Sequence, residues 1–327
     1  MNIKVLLSTF CCLFIFFNSF AQRQNVYFFK NPNKRVKIAD SADWTRIISE
    51  NDSMPHKYIV KEYYKNGKPK LLGQSLYIDS LVLDGNCLFY YPNGKKKRYS
   101  HYEQAQLHGD SYKYFPNGRV YSYIKYAPFI PLAYAKTPLP TLILAVNDST
   151  GKELVINGNG YFIDYDDDFK TVLEEGNLKD GLKEGEWKGM HYWLNDDGIK
   201  TDVITFTEHY KTGKLISGES TDANKKLYKY NEQEVAPKFK GTIDEYLKTH
   251  IKYPYEAKRD KVMERIVVEF FIERDGSVTG AKVTLGKSQQ LREEALRVIN
   301  SLPKWQPAYQ YGLPVRFLFW VPITFSL

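Results

Sequence analysis

The sequence predicts an α+β C-terminal domain, two helices packed on a three-stranded antiparallel sheet, placed after a mainly-β region of repeated hairpins. Three observations carry this reading. An aromatic pair followed by Asn-Gly recurs three times in the first half. Helical and strand periodicities alternate in one order over residues 236–327. The last eleven residues of note, from Val315 to Phe325, alternate apolar and polar in a way that only a strand explains.

The C-terminal elements follow in order. Thr242 and Glu245 have the spacing of a capping box, so a helix is predicted from that point, with Ile243, Tyr246, Leu247 and Ile251 on its apolar face and Tyr253-Pro254 ending it. Ile266, Val268, Phe270 and Ile272 then share one face of a strand, with Glu269 and Glu273 on the other. Asp275-Gly276 supplies the positive φ of a hairpin, and Val278–Leu285 returns as the partner strand. Ser288 is the predicted N-cap of a second helix bearing Leu291, Ala295, Val298, Ile299 and Leu302 on one stripe, with Glu293 and Glu294 complementing its N-terminal dipole and Pro303 stopping it. The final strand points Val315, Phe317, Phe319, Val321, Ile323 and Phe325 inward, with Trp305 in the same core, and turns Arg316, Leu318 and Trp320 outward. Pro322 has no ladder donor, which makes this strand an edge. An open edge can receive an extended peptide, or a second copy of the chain.

The spaced elements Tyr253-Pro254-x-x-Ala257, Phe270-x-Ile272-x-x-Asp275-Gly276-x-Val278, Glu294-Ala295-Leu296, Leu302-Pro303-x-Trp305-x-Pro307-Ala308, Gly312-x-Pro314-Val315 and Val321-Pro322-Ile323-x-Phe325 resemble the C-terminal domain of the TonB energy transducers. The resemblance implies a periplasmic domain that pairs with a box peptide of an outer-membrane receptor through its final strand and the start of its first long strand. Carried over, the implied peptide-binding residues are Arg265, Ile266, Arg316, Leu318 and Trp320. Glu264 stands where many family members have Gly.

Upstream, Tyr63-Tyr64-Lys65-Asn66-Gly67-Lys68 returns as Tyr90-Tyr91-Pro92-Asn93-Gly94-Lys95 and Tyr114-Phe115-Pro116-Asn117-Gly118-Arg119, a period of roughly 25 residues. Asn-Gly marks hairpin turns, with Asp84-Gly85 and Leu107-His108-Gly109-Asp110 as the opposite turns. Gly176, Gly185-Glu186-Trp187, Tyr192-Trp193-Leu194-Asn195-Asp196-Asp197-Gly198 and Tyr210-Lys211-Thr212-Gly213-Lys214 repeat the texture loosely. These segments resemble MORN-like repeats, including the variant of bacterial antitoxin-type proteins. Such hairpins bury their aromatic faces only by stacking, so they are predicted first as a scaffold and second as a surface for protein, glycan or lipid headgroups.

The predicted organisation is a signal peptide at 1–21, N-terminal hairpin repeats at 22–126, a Pro-rich apolar connector at 127–145, a second degenerate repeat block at 146–223, a linker at 224–235 and the C-terminal domain at 236–327. Lys4, the apolar run after it and Asn18-Ser19-Phe20-Ala21 have the form of a cleaved secretory signal, placing the chain in the periplasm or outside the cell. The alternative is an inner-membrane anchor facing the periplasm, for which the run is short of the ~20 residues that span a bilayer. Cys11 and Cys12 lie within that run, leaving Cys87 as a lone, buried thiol.

Composition narrows function further. The net charge of +8 is dispersed, with Lys95-Lys96-Lys97-Arg98 as its dense run, a pattern that does not support nucleic-acid binding. The six His residues have no metal spacing, and no nucleophile elbow or phosphate loop is present, so no catalysis and no cofactor are expected. Asp164, Asp166 and Asp168 are weak candidates for a cation site, set against a solvated hairpin tip. Two functions remain. One is a TonB-like adaptor that docks a receptor peptide in energy-dependent transmembrane nutrient transport and meets inner-membrane motor proteins if anchored. The other is a secreted envelope scaffold or binding module without energy transduction.

Overall fold

A computed structural model of the chain describes residues 23–31, 34–127, 141–194 and 200–327. The predicted signal at 1–21 with Cys11 and Cys12, most of the connector and the turn at 195–198 lie outside the described residues. The described residues divide into two compact units between Gly118 and Arg119.

The first unit is an antiparallel meander of β1 (Gln24–Lys30), β2 (Lys34–Val36), β3 (Trp44–Glu50), β4 (Tyr58–Tyr64), β5 (Pro69–Ser75), β6 (Gly85–Tyr90), β7 (Lys96–Glu103) and β8 (Gln106–Tyr114). β1 pairs with both β2 and β3, and each later strand pairs with the next. The repeated motif is explained atom by atom. Gly67 and Gly94 take φ of +78° and +88°, a conformation that disfavours any side chain. Asn66 and Asn93 accept from the N–H of Lys68 and Lys95 at 3.0 and 2.9 Å, closing their own turns. Their amides then donate to the carbonyls of Pro92 and Pro116 at 3.0 and 2.9 Å. The Tyr64 and Tyr91 hydroxyls reach Tyr90 and Tyr114 carbonyls at 2.7 Å each, and Lys68 and Lys95 reach those of Asn93 and Asn117 at 2.8 and 2.7 Å. Each turn is thus locked internally and bonded to the following one.

The second unit begins with β9 (Val120–Tyr126), β10 (Leu142–Asn147), β11 (Glu153–Ile156), β12 (Asn159–Tyr165), β13 (Val172–Lys179), β14 (Leu182–Leu194), β15 (Lys200–Lys211), β16 (Lys214–Asp222) and β17 (Leu227–Tyr230), each antiparallel to its neighbour in sequence. Asp148 starts a turn of the same kind as Tyr64: its N–H bonds the Lys152 carbonyl at 2.9 Å and Gly151 N–H bonds back to Asp148 at 3.0 Å. Arg119 donates to the Thr150 carbonyl in that turn, taking the place the lysines hold upstream. Opposite turns at Asn157-Gly158, Asp180-Gly181 and Thr212-Gly213 have positive φ at both residues, the geometry that suits strand twist.

Each unit holds a carboxylate, buried at Glu62 and half-buried at Glu174, whose lysine partner lies over a tryptophan. In the first, Glu62 holds Arg46 at 2.7 Å and Lys70 at 2.5 Å, and the Lys70 ammonium lies 3.7 Å from the Trp44 ring centroid. In the second, Lys183 bonds Glu174 at 2.5 Å and sits 4.3 Å over Trp187. Burial pushes the Glu174 carboxyl above its ordinary value despite the lysine. Trp187 packs flat on the bare backbone of Gly176, where a Cβ would come within 2.5 Å of its ring. Cys87 is buried, and burial raises its thiol pKa.

The C-terminal part comprises β18 (Glu234–Val235), α1 (Ile243–His250), α2 (Tyr255–Arg259), β19 (Glu264–Ile272), β20 (Val278–Leu285), α3 (Gln289–Asn300), β21 (Ala308–Gln310), β22 (Leu313–Val315) and β23 (Phe317–Phe325). One sheet runs β20-β19-β23 and a smaller one β18-β21-β22. Thr242 caps α1 by accepting from Glu245 N–H at 3.3 Å, and Ser288 caps α3 from Leu291 N–H at 3.5 Å. Ile266, Val268, Phe270 and Ile272 are fully buried against Leu291, Ala295, Val298 and Ile299, with Trp305, Val321, Ile323 and Phe325 completing the core.

Several sequence expectations need correction. The sheet carries three helices in this region, not two: α1 ends at His250, and Pro254 precedes a short second helix instead of closing the first. Proline is well suited to a helix start, where its missing donor is not needed. Glu293 and Glu294 lie beyond the first turn of α3; Glu294 instead pairs with Arg297 at 2.7 Å and accepts from Lys252 N–H at 2.6 Å. Only Gly276 of the Asp275-Gly276 pair has positive φ, at +82°. Leu107 to Asp110 lie inside β8, the turn being Gln104-Ala105. The stretch read as a linker, 224–235, contains β17 and β18, both paired. Phe317 is exposed and not core.

Asp275 carries a testable electrostatic consequence. The Lys304 ammonium at 2.6 Å, with the Ser277 hydroxyl and N–H, holds its carboxyl far below the usual range. Its contribution to stability is therefore complete above the unfolded value of about 3.9 and is lost as pH falls toward the lower folded value. Asp275→Asn is expected to flatten the acid limb of the C-terminal domain's melting curve below about pH 4. An acid limb identical to that of the unsubstituted chain would refute the assignment.

Candidate peptide-docking edge

β19 is the central strand of the larger sheet, so β23 has one edge paired and the other free of ladder partners among the described residues. Pro322 sits opposite Val267 in this edge strand, as its missing N–H requires. The register then fixes where each residue of interest lies. Trp320 is opposite Glu269, Leu318 opposite Phe271 and Arg265 opposite Thr324. All belong to the face turned away from the helices.

Trp320 is 64% and Leu318 46% exposed, values that leave both side chains available on the solvent face. Glu269 under Trp320 is held by Lys282 at 2.8 Å. Arg316 bonds Glu273 at 3.0 Å and lays its guanidinium 3.6 Å from the Phe271 ring centroid, so it is oriented before any partner arrives. Arg265 is exposed at the far end of the same face. Eight strand positions separate the places opposite Thr324 and Arg316, roughly 26 Å of extended chain.

Four of the five residues implied by resemblance thus share one face. Ile266 does not: it is fully buried in the core, and its side chain cannot touch a peptide on that face. Glu264 also has a structural use, accepting from Lys287 and Ser288 N–H at 2.6 and 2.9 Å, which lowers its pKa and ties the start of β19 to the start of α3. Two exposed apolar residues escaped the sequence reading. Phe317 at the head of β23 follows the inward alternation but is exposed, and Leu285 at the end of β20 is likewise exposed.

The aspartates at 164, 166 and 168 do not converge. Asp166 accepts from Lys170 N–H at 2.8 Å, Asp168 faces the Lys170 ammonium at 3.6 Å, and Asp164 lies 3.4 Å from the Tyr121 hydroxyl. No group of three or more His, Cys, Asp or Glu side chains among the described residues is placed to hold a metal ion.

The arrangement of caps, hairpin and edge strand meets an independent comparison. Residues 249–327 match the family of Gram-negative bacterial TonB protein C-terminal domains. The match takes in the end of α1, all of the sheet β20-β19-β23 and the hairpin β21-β22, and the hairpin repeats lie outside it. No curated protein matches the chain. Among the described residues, no helix is long and apolar enough to cross a membrane.

The TonB-like segment is also seated on the last repeat strands of its own unit. The Tyr311-Gly312 turn between β21 and β22 inserts among aromatic residues: Tyr311 stacks on Phe206 at 5.0 Å and lies edge-on to Tyr230 at 5.9 Å. Ser220 donates to the Tyr311 carbonyl and Trp193 to Gln310, both at 2.6 Å. Beneath this contact, the fully buried Glu208 accepts from the Tyr210 and Tyr230 hydroxyls at 2.8 Å and from Gln233 at 2.9 Å.

Proposed function

We propose that the TonB-like domain docks an extended peptide of an outer-membrane, TonB-dependent receptor by strand addition along β23, and that the chain acts in the periplasm in energy-dependent nutrient transport. The observation that carries the reading is the unpaired β23 edge, bordered on one face by Arg316, Leu318 and Trp320. Backbone bonds along such an edge supply affinity, and alternate side chains supply selection. The family match to residues 249–327 supports the same partner class.

A second reading is favoured by one specific observation, the seating of Tyr311, Ser220 and Trp193 described above. A domain fixed to a hairpin-repeat sheet has the form of an envelope scaffold, in which the repeats hold a protein, glycan or lipid and no force is transmitted. The two readings differ at β23. In the docking reading, Trp320→Asp weakens binding of a receptor-box peptide by about tenfold or more while the melting temperature is retained. Unchanged affinity in a folded Trp320→Asp variant would remove the docking reading and leave the scaffold.

A further inference from the structure

The Phe317 end of β23 opens into a cleft of about 480 Å³. One wall is TonB-like, made by Leu313, Pro314 and Phe317; the other is made by repeat strands, with Trp193 from β14, Val203 from β15 and Tyr228 from β17. Ala223, exposed in the turn between β16 and β17, lies at its rim.

Three of the four charged residues of the lining are ion-paired and the fourth, Asp222, is hydrogen-bonded, while Thr201, Asn224 and Gln310 add neutral polar groups. Asp202 pairs with Arg274, and Arg316 with Glu273. Asp222 accepts from the N–H groups of Asn224 and Lys226 at 2.9 Å and from the Tyr228 hydroxyl at 3.0 Å. The cleft therefore combines apolar and aromatic groups with two arginines that are both already ion-paired, and an anion placed there would lose its hydration beside Asp222 without a free cation to meet it.

We infer that this cleft receives the flank of the peptide docked on β23, and that it selects an apolar or aromatic side chain there. The inference rests on the docking reading above and adds the repeat strands as the second half of the binding site. Continuity is the argument. The nine residues of β23 span roughly 30 Å. A longer peptide must leave the ladder at one of its two ends, and at one end the strand's own first residue, Phe317, is a wall of the cleft. Whichever way the peptide runs, one of its flanks arrives there.

The test uses the full chain and three synthetic peptides, followed by fluorescence anisotropy. The first is a nine-residue receptor-box peptide. The second carries six further residues at each end with a Phe in each flank, and the third replaces those Phe residues by Asp. The Phe-flanked peptide is expected to bind about tenfold more tightly than the nine-residue one, and the Asp-flanked peptide to lose that gain. Ala223→Trp, at an exposed site that no core contact depends on, fills the cleft: it abolishes the gain and leaves the nine-residue affinity unchanged, whereas Ala223→Ser keeps both. A gain that survives Ala223→Trp, or no gain from the Phe flanks while the nine-residue peptide binds, overturns the cleft inference alone. Failure of both the nine-residue and the Phe-flanked peptides to bind overturns the docking reading and the inference together.

Discussion

Phe270→Ala is expected to destabilise the TonB-like domain by about 3–5 kcal/mol, the range for deleting a buried aromatic side chain. Phe270 is fully buried in the central strand β19 and contacts the rings of Phe319 and Trp305 at centroid distances of 5.7 and 6.2 Å. It is therefore the link between the helix-side core and the edge strand β23. The void left by Ala also removes the support under Phe319, whose neighbours Leu318 and Trp320 form the exposed face. Urea unfolding should show a lower midpoint at unchanged slope. A midpoint within 0.5 kcal/mol-equivalent of the parent, about the scatter of ordinary surface substitutions, would contradict the core assignment.

Glu62→Ala in the repeats should cost a similar amount, about 3–5 kcal/mol, for a different reason. Glu62 has a side chain only 3% exposed and serves two cations, Arg46 and Lys70, that are themselves largely covered. Removing it leaves both charges without their counter-ion, and the Lys70 ammonium rests on the face of Trp44, which cannot replace a carboxylate. Glu62→Gln keeps the shape and one acceptor and should cost less. Thermal unfolding of the two variants decides it: equal melting temperatures for Glu62→Ala and the parent would mean that the network does not hold the first unit together.

Where local signals decided the structure, they were readable. Thr242 and Ser288 act as caps at the positions their spacing indicates, and the alternation of Ile266, Val268, Phe270 and Ile272 places all four in the core. The Tyr-x-Asn-Gly-Lys pattern announced its turns because its tyrosine, asparagine and lysine side chains each have a bond to make to the next turn. The turn at Asp148 escaped notice because an aspartate, a serine and a threonine replace the aromatic residue, proline and asparagine while keeping the backbone bonds.

Tertiary contacts decided the remainder. The stretch 224–237 reads as polar and aperiodic, yet Leu227–Tyr230 within it is a strand because β16 offers it an edge. The hairpin β21-β22 is short and contains Pro314, and it is fixed by Tyr311 reaching Phe206, a contact that no local pattern encodes. At the C-terminal sheet, the resemblance singled out β23, which the register shows to be an edge strand. It also named Ile266, which the alternation along β19 had already assigned to the buried face and which is fully buried in the core. The cleft at Phe317 is built from segments more than a hundred residues apart and has no signature in either.

The central claim is that the free edge of β23 takes up an extended peptide. Hydrogen exchange on the full chain, with and without a saturating nine-residue receptor-box peptide, tests it at the bonds themselves. Strand addition predicts new protection at alternate amides of Phe317–Phe325, with β20 and the repeat strands unchanged. Protection confined to β20 or to the repeats, with the β23 amides exchanging as in the free chain, would contradict it.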